Sequence, residues 1–399
     1  MPKKFVIRKG YLSELSAFRD NTDFVKVITG VRRCGKSTLM DQFIEMLKAD
    51  GITENEIINI SLEDPGYISI RNETDLANVI FPNVPKDKKC YVFIDEIQRA
   101  DGWERVVNSL MSGTDADVYI TGSNSHILSS DLTTYLAGRY VMIEMLPLSF
   151  AEWKELRGEG MDDATAIQRY MTYGGFPAVD PSMGDGPVKT VLRDLYASIV
   201  KWDIAERGQI RNIEEMDRLM IYLMHNIGNP MSLNNIVEGL GASRELVDRY
   251  VSMMREAFII YRADRYDMSS SALSPSPKYY VVDAGLREMA IGFTQKDAGR
   301  VLENIVYLEL RRRGNNIQIG RFGAKKVDFV ASPTTGGREY YQVCLSMVDE
   351  STAERELGAL RSIKDSFPKT ILTMDPVVKH ATEDGINIIY VVDWLIGRS

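Results

Sequence analysis

Val25-Lys-Val-Ile-Thr29, running directly into Gly30-Val-Arg-Arg-Cys-Gly35-Lys36-Ser37-Thr38, is the stretch that decides the fold. An apolar run of strand type meets the pattern Gly-x4-Gly-Lys-Ser, and an amphipathic helical pattern follows. Phosphate binding needs this order of elements. Glycines let the main-chain amides of Gly30, Val31, Arg32, Arg33, Cys34 and Gly35 turn inward, and the helix start adds its dipole. Lys36 is expected to reach the β- and γ-phosphates and the Ser37 hydroxyl to ligate magnesium, with Thr38 closing the loop. A chain of this length and average composition would match the pattern by chance roughly once in a hundred. The expected cofactors are therefore ATP and Mg2+.

Working outward, Tyr91-Val-Phe-Ile-Asp95-Glu96 is an apolar strand that ends in two acids. Asp95 is the expected Walker B aspartate beside the magnesium, and Glu96 the expected general base for the attacking water. Further candidate strands are Ile57–Leu62, Val118–Thr121 and Val141–Met145, largely free of polar residues, as buried parallel strands are. A whole strand, Ile57–Leu62, separates the two motifs, which predicts that the P-loop and Walker B strands are not neighbours in the sheet. Short apolar runs alternating with helical patterns predict an α/β fold with a parallel sheet.

The 399 residues suffice for two or three domains. Net charge is -8, so no global positive field advertises nucleic acid, although an acidic whole can carry a basic face. No apolar stretch approaches the roughly 20 residues of a membrane span, and the N-terminus has no signal-peptide pattern. Cys34, Cys90 and Cys344 lie far apart, and His126, His225 and His380 do not cluster, so neither disulfides nor a zinc site are expected. The expected location is cytoplasmic.

Thr29-Gly-Val-Arg-Arg-Cys-Gly-Lys-Ser37, Phe93-Ile-Asp-Glu-Ile-Gln98, Ile120-Thr-Gly-Ser-Asn-Ser125 and Ala137-Gly-Arg-Tyr140 together resemble a prokaryotic AAA-type ATPase family whose C-terminal half is a domain of unknown function. The resemblance spans nearly the whole chain. It implies a γ-phosphate sensor at Ser123 or Asn124; a strand-to-helix turn capped by Asn124 or Ser125 is the other reading. It also places Arg139 where AAA-type ATPases carry an arginine finger, often serving a neighbouring subunit of an oligomer. A helix stop with a C-terminal cation explains Gly138-Arg139 equally well. Tyr173-Gly-Gly-Phe-Pro177 resembles the lid element that touches nucleotide through Pro177, and it also fits an ordinary helix terminator.

The expected organisation is an ATPase core over 1–150, a helical lid over 151–205, a winged helix over 206–285 and a restriction-nuclease-like α/β domain over 286–399. In the winged helix, Ser232 and Ser243 are N-cap candidates and Arg244 and Arg249 the candidate DNA contacts. The Ser/Pro-rich run Ser269–Pro277 reads as the loop between two wing strands, Ile259–Tyr266 and Lys278–Val282. In the last part Glu303, Asp328 and Gln342-Val-Cys344 resemble a nuclease motif in which Gln342 replaces an acid and Cys344 the lysine. A thiol supplies no permanent positive charge, so a scaffold without strong cleavage is expected. Arg311, Arg312 and Arg313, with Arg321, Lys325 and Lys326, read either as a basic face or as a solvated helix end. Three functions follow from these readings: an ATP-driven switch or motor acting on DNA, a signalling ATPase docking a protein partner, or an ATP-gated nuclease, which Cys344 disfavours.

Overall fold

The computed structural model describes residues 5–86, 88–123, 136, 138–200, 204, 212–267, 272–292, 297–322, 325–376 and 381–398. The chain forms two compact units, Met1–Met145 with Glu256–Phe258, and Leu146–Arg255 with Ile259–Ser399. The segments expected as lid, winged helix and nuclease-like domain thus lie in one unit, apart from the three residues at Glu256–Phe258.

In the first unit, strands β1 (Val25–Thr29), β2 (Ile57–Ser61), β3 (Cys90–Asp95), β4 (Ala116–Thr121) and β5 (Tyr140–Glu144) form one sheet in the order β2-β3-β4-β1-β5. Every neighbouring pair is parallel. β4 lies between β1 and β3, so the two motif strands are separated as the sequence predicts. β1, β3 and β4 are buried throughout, which is why they read as continuous apolar runs. Lys26 and Asp117 are charged exceptions, and they pair with each other in full burial. The Lys26 ammonium also donates to the Asn21 carbonyl at 2.6 Å, and Tyr119 donates to Asp117 at 2.8 Å, so the buried charges are paired and hydrogen-bonded. Helix α2 (Lys36–Ala49), the second helix after α1 (Lys9–Ala17), covers the sheet with Leu39, Met40, Phe43, Ile44 and Leu47. Phe43 meets Phe93 and Tyr119 with ring centroids 6.3 and 5.1 Å away, a contact that pins the helix to β3 and β4. Each such side chain contributes roughly 2 kcal/mol by burial.

The second unit has an eight-stranded mixed sheet, ordered β12-β13-β11-β10-β9-β8-β6-β7. These strands are β6 (Ile260–Asp267), β7 (Ala272–Val281), β8 (Asn316–Phe322), β9 (Lys325–Ser332), β10 (Glu339–Cys344), β11 (Lys369–Thr373), β12 (Ala381–Glu383) and β13 (Ile386–Tyr390). Helices Phe150–Arg157, Asp163–Tyr173, Asp185–Ser198, Ile213–His225, Leu233–Leu240 and Arg244–Glu256 precede the sheet in sequence. Ser232 and Ser243 cap the last two, accepting from the Asn235 and Leu246 amides at 3.2 Å each.

The Ser/Pro-rich run departs from expectation. Its last part is strand, because β7 begins at Ala272. β7 is an edge strand, and the register shifts between Ala263↔Lys278 and Arg265↔Ser274, so residues 275–277 fall in the irregularity. Pro275 and Pro277 therefore sit where no ladder donor is required. β6 also pairs with β8, so the hairpin is continuous with the large sheet.

Asp283, at the cap of helix Ala284–Ile291, is buried and accepts from the Gly175 amide at 2.6 Å and the Leu286 amide at 3.1 Å. A Cβ on Gly174 would lie 2.0 Å from its carboxylate, which explains the glycine. Burial pushes Asp283 up to about 7, against the pull of these amides. Its folded value stands above the ordinary 3.9, so its share of stability is intact below pH about 4 and is lost as pH climbs through 7. Asp283→Asn should therefore gain on the natural chain in melting temperature between pH 5 and pH 8. A gap that stays constant across that range would contradict the assignment.

Candidate nucleotide site

The loop after β1 is built on two backbone conformations. Gly30 has φ +137°, and a Cβ there would stand 2.1 Å from the Met145 carbonyl oxygen. The Met145 amide in turn donates to the Thr29 carbonyl at 2.8 Å, which locks the loop's start against the end of β5. Gly35, at φ +108°, is the left-handed cap from which α2 begins. Val31 and Cys34 turn inward and are buried; burial pushes the Cys34 thiol up and makes it packing, not chemistry. Arg33 is exposed, whereas Arg32 pairs with Glu63 at 3.3 Å, as does Arg99 at 2.5 Å. Lys36 is buried, its ammonium folded over the loop to donate to the carbonyls of Gly30 (3.0 Å) and Val31 (3.2 Å).

Ser61, Asp95 and Thr121 end three adjacent strands, since Ser61 pairs with Asp95 and Ile94 with Ile120 in register. Their side chains converge. Asp95 Oδ2 accepts from the Ser37 hydroxyl at 2.8 Å and the Ser61 hydroxyl at 3.3 Å; Oδ1 accepts from the Thr121 hydroxyl. Glu96 follows in the left-handed region, φ 53° and ψ 45°. That conformation costs a non-glycine residue about 1–3 kcal/mol, and its amide is held by Thr121 Oγ1 at 2.9 Å. The Gln98 amide donates to the Glu96 carboxylate.

This donor set fits magnesium. It is oxygen only, with one carboxylate and one hydroxyl touching, and no group of three His, Cys, Asp or Glu residues able to hold a metal occurs among the described residues. Magnesium suits such a site because it keeps waters and takes the rest of its shell from substrate phosphates. Ser37 and Asp95 are the residues that would hold it.

Comparisons with known proteins agree with this geometry. The family described as "AAA domain" matches residues 22–154, and one described as "Domain of unknown function (DUF8612)" matches residues 164–297. An uncharacterized protein of Haemophilus influenzae is 37% identical over 409 residues, which cover 99% of this chain and 100% of that one. An uncharacterized protein of Methanocaldococcus jannaschii is 31% identical over 360 residues, 86% of this chain and 79% of that one. The chain belongs to the family of these two proteins. Its first part is an AAA domain on a P-loop NTPase sheet. Among solved structures, the Aeropyrum pernix ORC1 protein in complex with DNA aligns at a TM-score of 0.33 and 10% identity, over 72% of this chain and 93% of that one. AMPPCP-bound DnaA from Aquifex aeolicus aligns at 0.28 and 16%, over 63% and 90%. Likeness at such scores says nothing of what this chain does.

Within the AAA domain the remaining expected residues separate. Ser123 is buried just past β4, and Asn124 lies outside the described residues. Arg139 sits at the opposite end of the sheet from the P-loop: its carbonyl accepts from the Val25 amide at 3.1 Å, and Tyr140 pairs with Val25. A five-residue strand at about 3.3 Å per residue separates it from its own loop. Its guanidinium donates to Asn108 at 2.7 Å and to the Leu136 carbonyl at 3.4 Å.

Pro177 lies in the second unit, where its carbonyl accepts from Arg157 at 3.2 Å. Arg244 and Arg249 are exposed on helix Arg244–Glu256, and Arg244 donates to Asn234 at 3.4 Å. Each arginine of the triplet has a partner within the chain, and Arg313 is exposed at the helix end. Arg311 lies over the Tyr261 ring at 4.6 Å and Arg313 over the Trp394 ring at 4.0 Å; Arg312 donates to the Pro147 carbonyl at 2.9 Å.

Ser61, Thr121, Glu63 and Gln98 escaped the sequence reading. A hydroxyl closing a strand-like run was the available signal for the first two, because strand C-termini face the ligand crevice in open α/β sheets. Two variants probe the arrangement. Lys36→Ala should remove detectable binding of a fluorescent ATP analogue up to millimolar levels, read by anisotropy. Thr121→Val strips a donor from Asp95 and an acceptor from the Glu96 amide at once, and should lower stability by about 1–3 kcal/mol in urea titration.

Proposed function

We propose that this protein is an ATP-hydrolysing AAA-type switch or motor module that acts on DNA through the residues behind its AAA domain. The observation that carries the reading is the 2.8 Å hydrogen bond between Ser37 and Asp95, with Glu96 next in sequence and pinned by Thr121. The loop amides and Lys36 bind the triphosphate. Ser37 and Asp95 would hold magnesium, which when bound would supply positive charge against the phosphates. Glu96 takes a proton from water as its oxygen bonds to the γ-phosphorus; the bond to the bridging oxygen breaks, and ADP and phosphate leave. Arg139, one strand length from its own loop, serves as an arginine finger only toward a neighbouring subunit, so the reading includes a homo-oligomer. In the same reading Ser123 and Asn124 sense the γ-phosphate and Pro177 belongs to a lid.

DNA as the partner is supported by helix Leu233–Leu240, the Gly241-Ala242 turn and helix Arg244–Glu256 with the β6–β7 hairpin behind them. That succession suits a winged helix, with Arg244 and Arg249 outward for phosphates. One observation favours a second reading. Glu245 and Asp248 are exposed on the same helix, a mixed surface that suits a protein partner in a signalling ATPase. No helix among the described residues is long and apolar enough to cross a membrane, and the reading places the protein in the cytoplasm.

Glu96→Gln should retain nucleotide while slowing turnover by roughly 10²–10⁴. An unchanged rate means another residue is the base. DNA should raise the rate of the natural chain, and binding should weaken steeply with salt as counterions return to the phosphates. A rate indifferent to DNA and insensitive to Arg244→Ala/Arg249→Ala removes DNA from the proposal, leaving the protein partner. A rate per chain independent of protein concentration removes the role of Arg139.

A further inference from the structure

Three elements of the second unit bring charged groups into one buried cluster. Glu303 comes from helix Ala298–Arg312, Asp328 from the middle of β9, and Lys278 from the edge strand β7. The Lys278 ammonium lies 2.7 Å from Glu303 Oε1 and 3.6 Å from Asp328 Oδ1. Lys278 is only 7% exposed. Burial pulls its pKa down, yet the two carboxylates outweigh it and hold the ammonium above its ordinary value.

The other contacts saturate the cluster. Tyr280 donates to Glu303 Oε1 at 2.6 Å, and the Val343 amide donates to Asp328 Oδ2 at 3.0 Å. Gln342 Oε1 accepts from the Asp328 amide at 3.1 Å, while its Nε2 donates to Glu356 at 2.6 Å. An acid at 342 would face Glu356 with no proton to give, so the amide is what this position requires. Arg355 neutralises the far side of Glu356 at 2.7 Å. Cys344, whose thiol burial pushes up to about 12, brings no charge.

We infer that Lys278 is the resident cation of the Glu303–Asp328 pair, standing where a divalent metal ion would otherwise bridge the two carboxylates and thereby excluding it. A carboxylate pair from a helix and an adjacent strand, both largely shielded from solvent, is the oxygen chemistry that hard divalent cations select. Two such groups at close quarters demand a positive partner, and a single-charged ammonium on a flexible stem is the one this chain supplies. The consequence is functional. Metal-assisted hydrolysis at this place would require the lysine to leave, and its buried position, with Tyr280 bound to Glu303 and the Val343 amide to Asp328, keeps it there. The inference rests on this cluster alone and survives or fails independently of the ATPase reading.

Mn2+ titration of the full-length, nucleotide-free protein, followed by the electron paramagnetic resonance of free Mn2+, tests it. The natural chain and Asp328→Asn should give superimposable curves. Lys278→Ala should bind one additional Mn2+ per chain, and Lys278→Ala/Asp328→Asn should lose it. A natural chain that binds a Mn2+ removed by Asp328→Asn overturns the inference, as does a folded Lys278→Ala that gains none. Should Lys278→Ala melt too low to titrate, Lys278→Gln takes its place, and the readout becomes melting temperature. Mn2+ must then raise it in the single variant and not in the double one; equal melting counts against the inference. Plasmid cleavage by the natural chain with Mn2+, abolished in Asp328→Ala, would equally sink it.

Discussion

The Asp95 carboxylate, buried at the end of β3, is the constraint around which the first unit is organised. Its oxygens are claimed by hydroxyls from three places that are remote in sequence: Ser37 at the start of α2, Ser61 at the end of β2 and Thr121 at the end of β4. A buried carboxylate must be hydrogen-bonded or it destabilises the fold. That requirement ties loop, helix and three strands to a single point. Sheet order serves it directly. With β4 between β1 and β3, Thr121 stands beside Asp95 while the P-loop closes over them from the next strand. Were β1 adjacent to β3, Thr121 would have no place next to the acid or the Glu96 amide.

Glu96 shows how the same constraint reaches the chemistry. Its left-handed backbone is an unfavourable conformation for a residue with a side chain, and the Thr121 hydroxyl that binds Asp95 also holds the Glu96 amide. One threonine thus positions both acids, Asp95 and Glu96. Lys36 adds the complementary feature. Its ammonium is satisfied by two carbonyls of its own loop, which ties the start of α2 back to the end of β1.

Much of this was legible in the residues, and the failures have physical causes. Continuous apolar runs located the buried strands of the first sheet, and one intervening run sufficed to foresee that β1 and β3 are not neighbours. The first part of β7, before Lys278, was missed because prolines ordinarily forbid a ladder. An edge position with a shift in register removes the demand for a donor, and neither property is written in local sequence. The arginine triplet misled for a related reason: what a guanidinium faces depends on rings and carbonyls contributed from far along the chain, Tyr261, Trp394 and Pro147. Gly174-Gly175 carried a signal that admits two origins. A helix terminator and a nucleotide-touching lid both use such glycines, yet here each has a steric reason, the Asp283 carboxylate against one and the Leu148 carbonyl, 2.3 Å from a Cβ, against the other.

The two units solve the problem of a buried acid in opposite ways, and the contrast separates a site from a core. Asp95 is held by neutral hydroxyls, which fix its direction and bring no compensating charge. Glu303 and Asp328 are met by an ammonium from the chain itself, and burial, then the neighbouring Glu303, push Asp328 up to about 7. Hydroxyls can rotate to share a carboxylate with an incoming ion. A buried lysine cannot withdraw without leaving its own charge unpaired, at a cost of several kcal/mol. Motif spelling alone ranks these two places by how many acids they retain. The partners of those acids separate them by charge: neutral hydroxyls meet Asp95, whereas an ammonium meets Glu303 and Asp328.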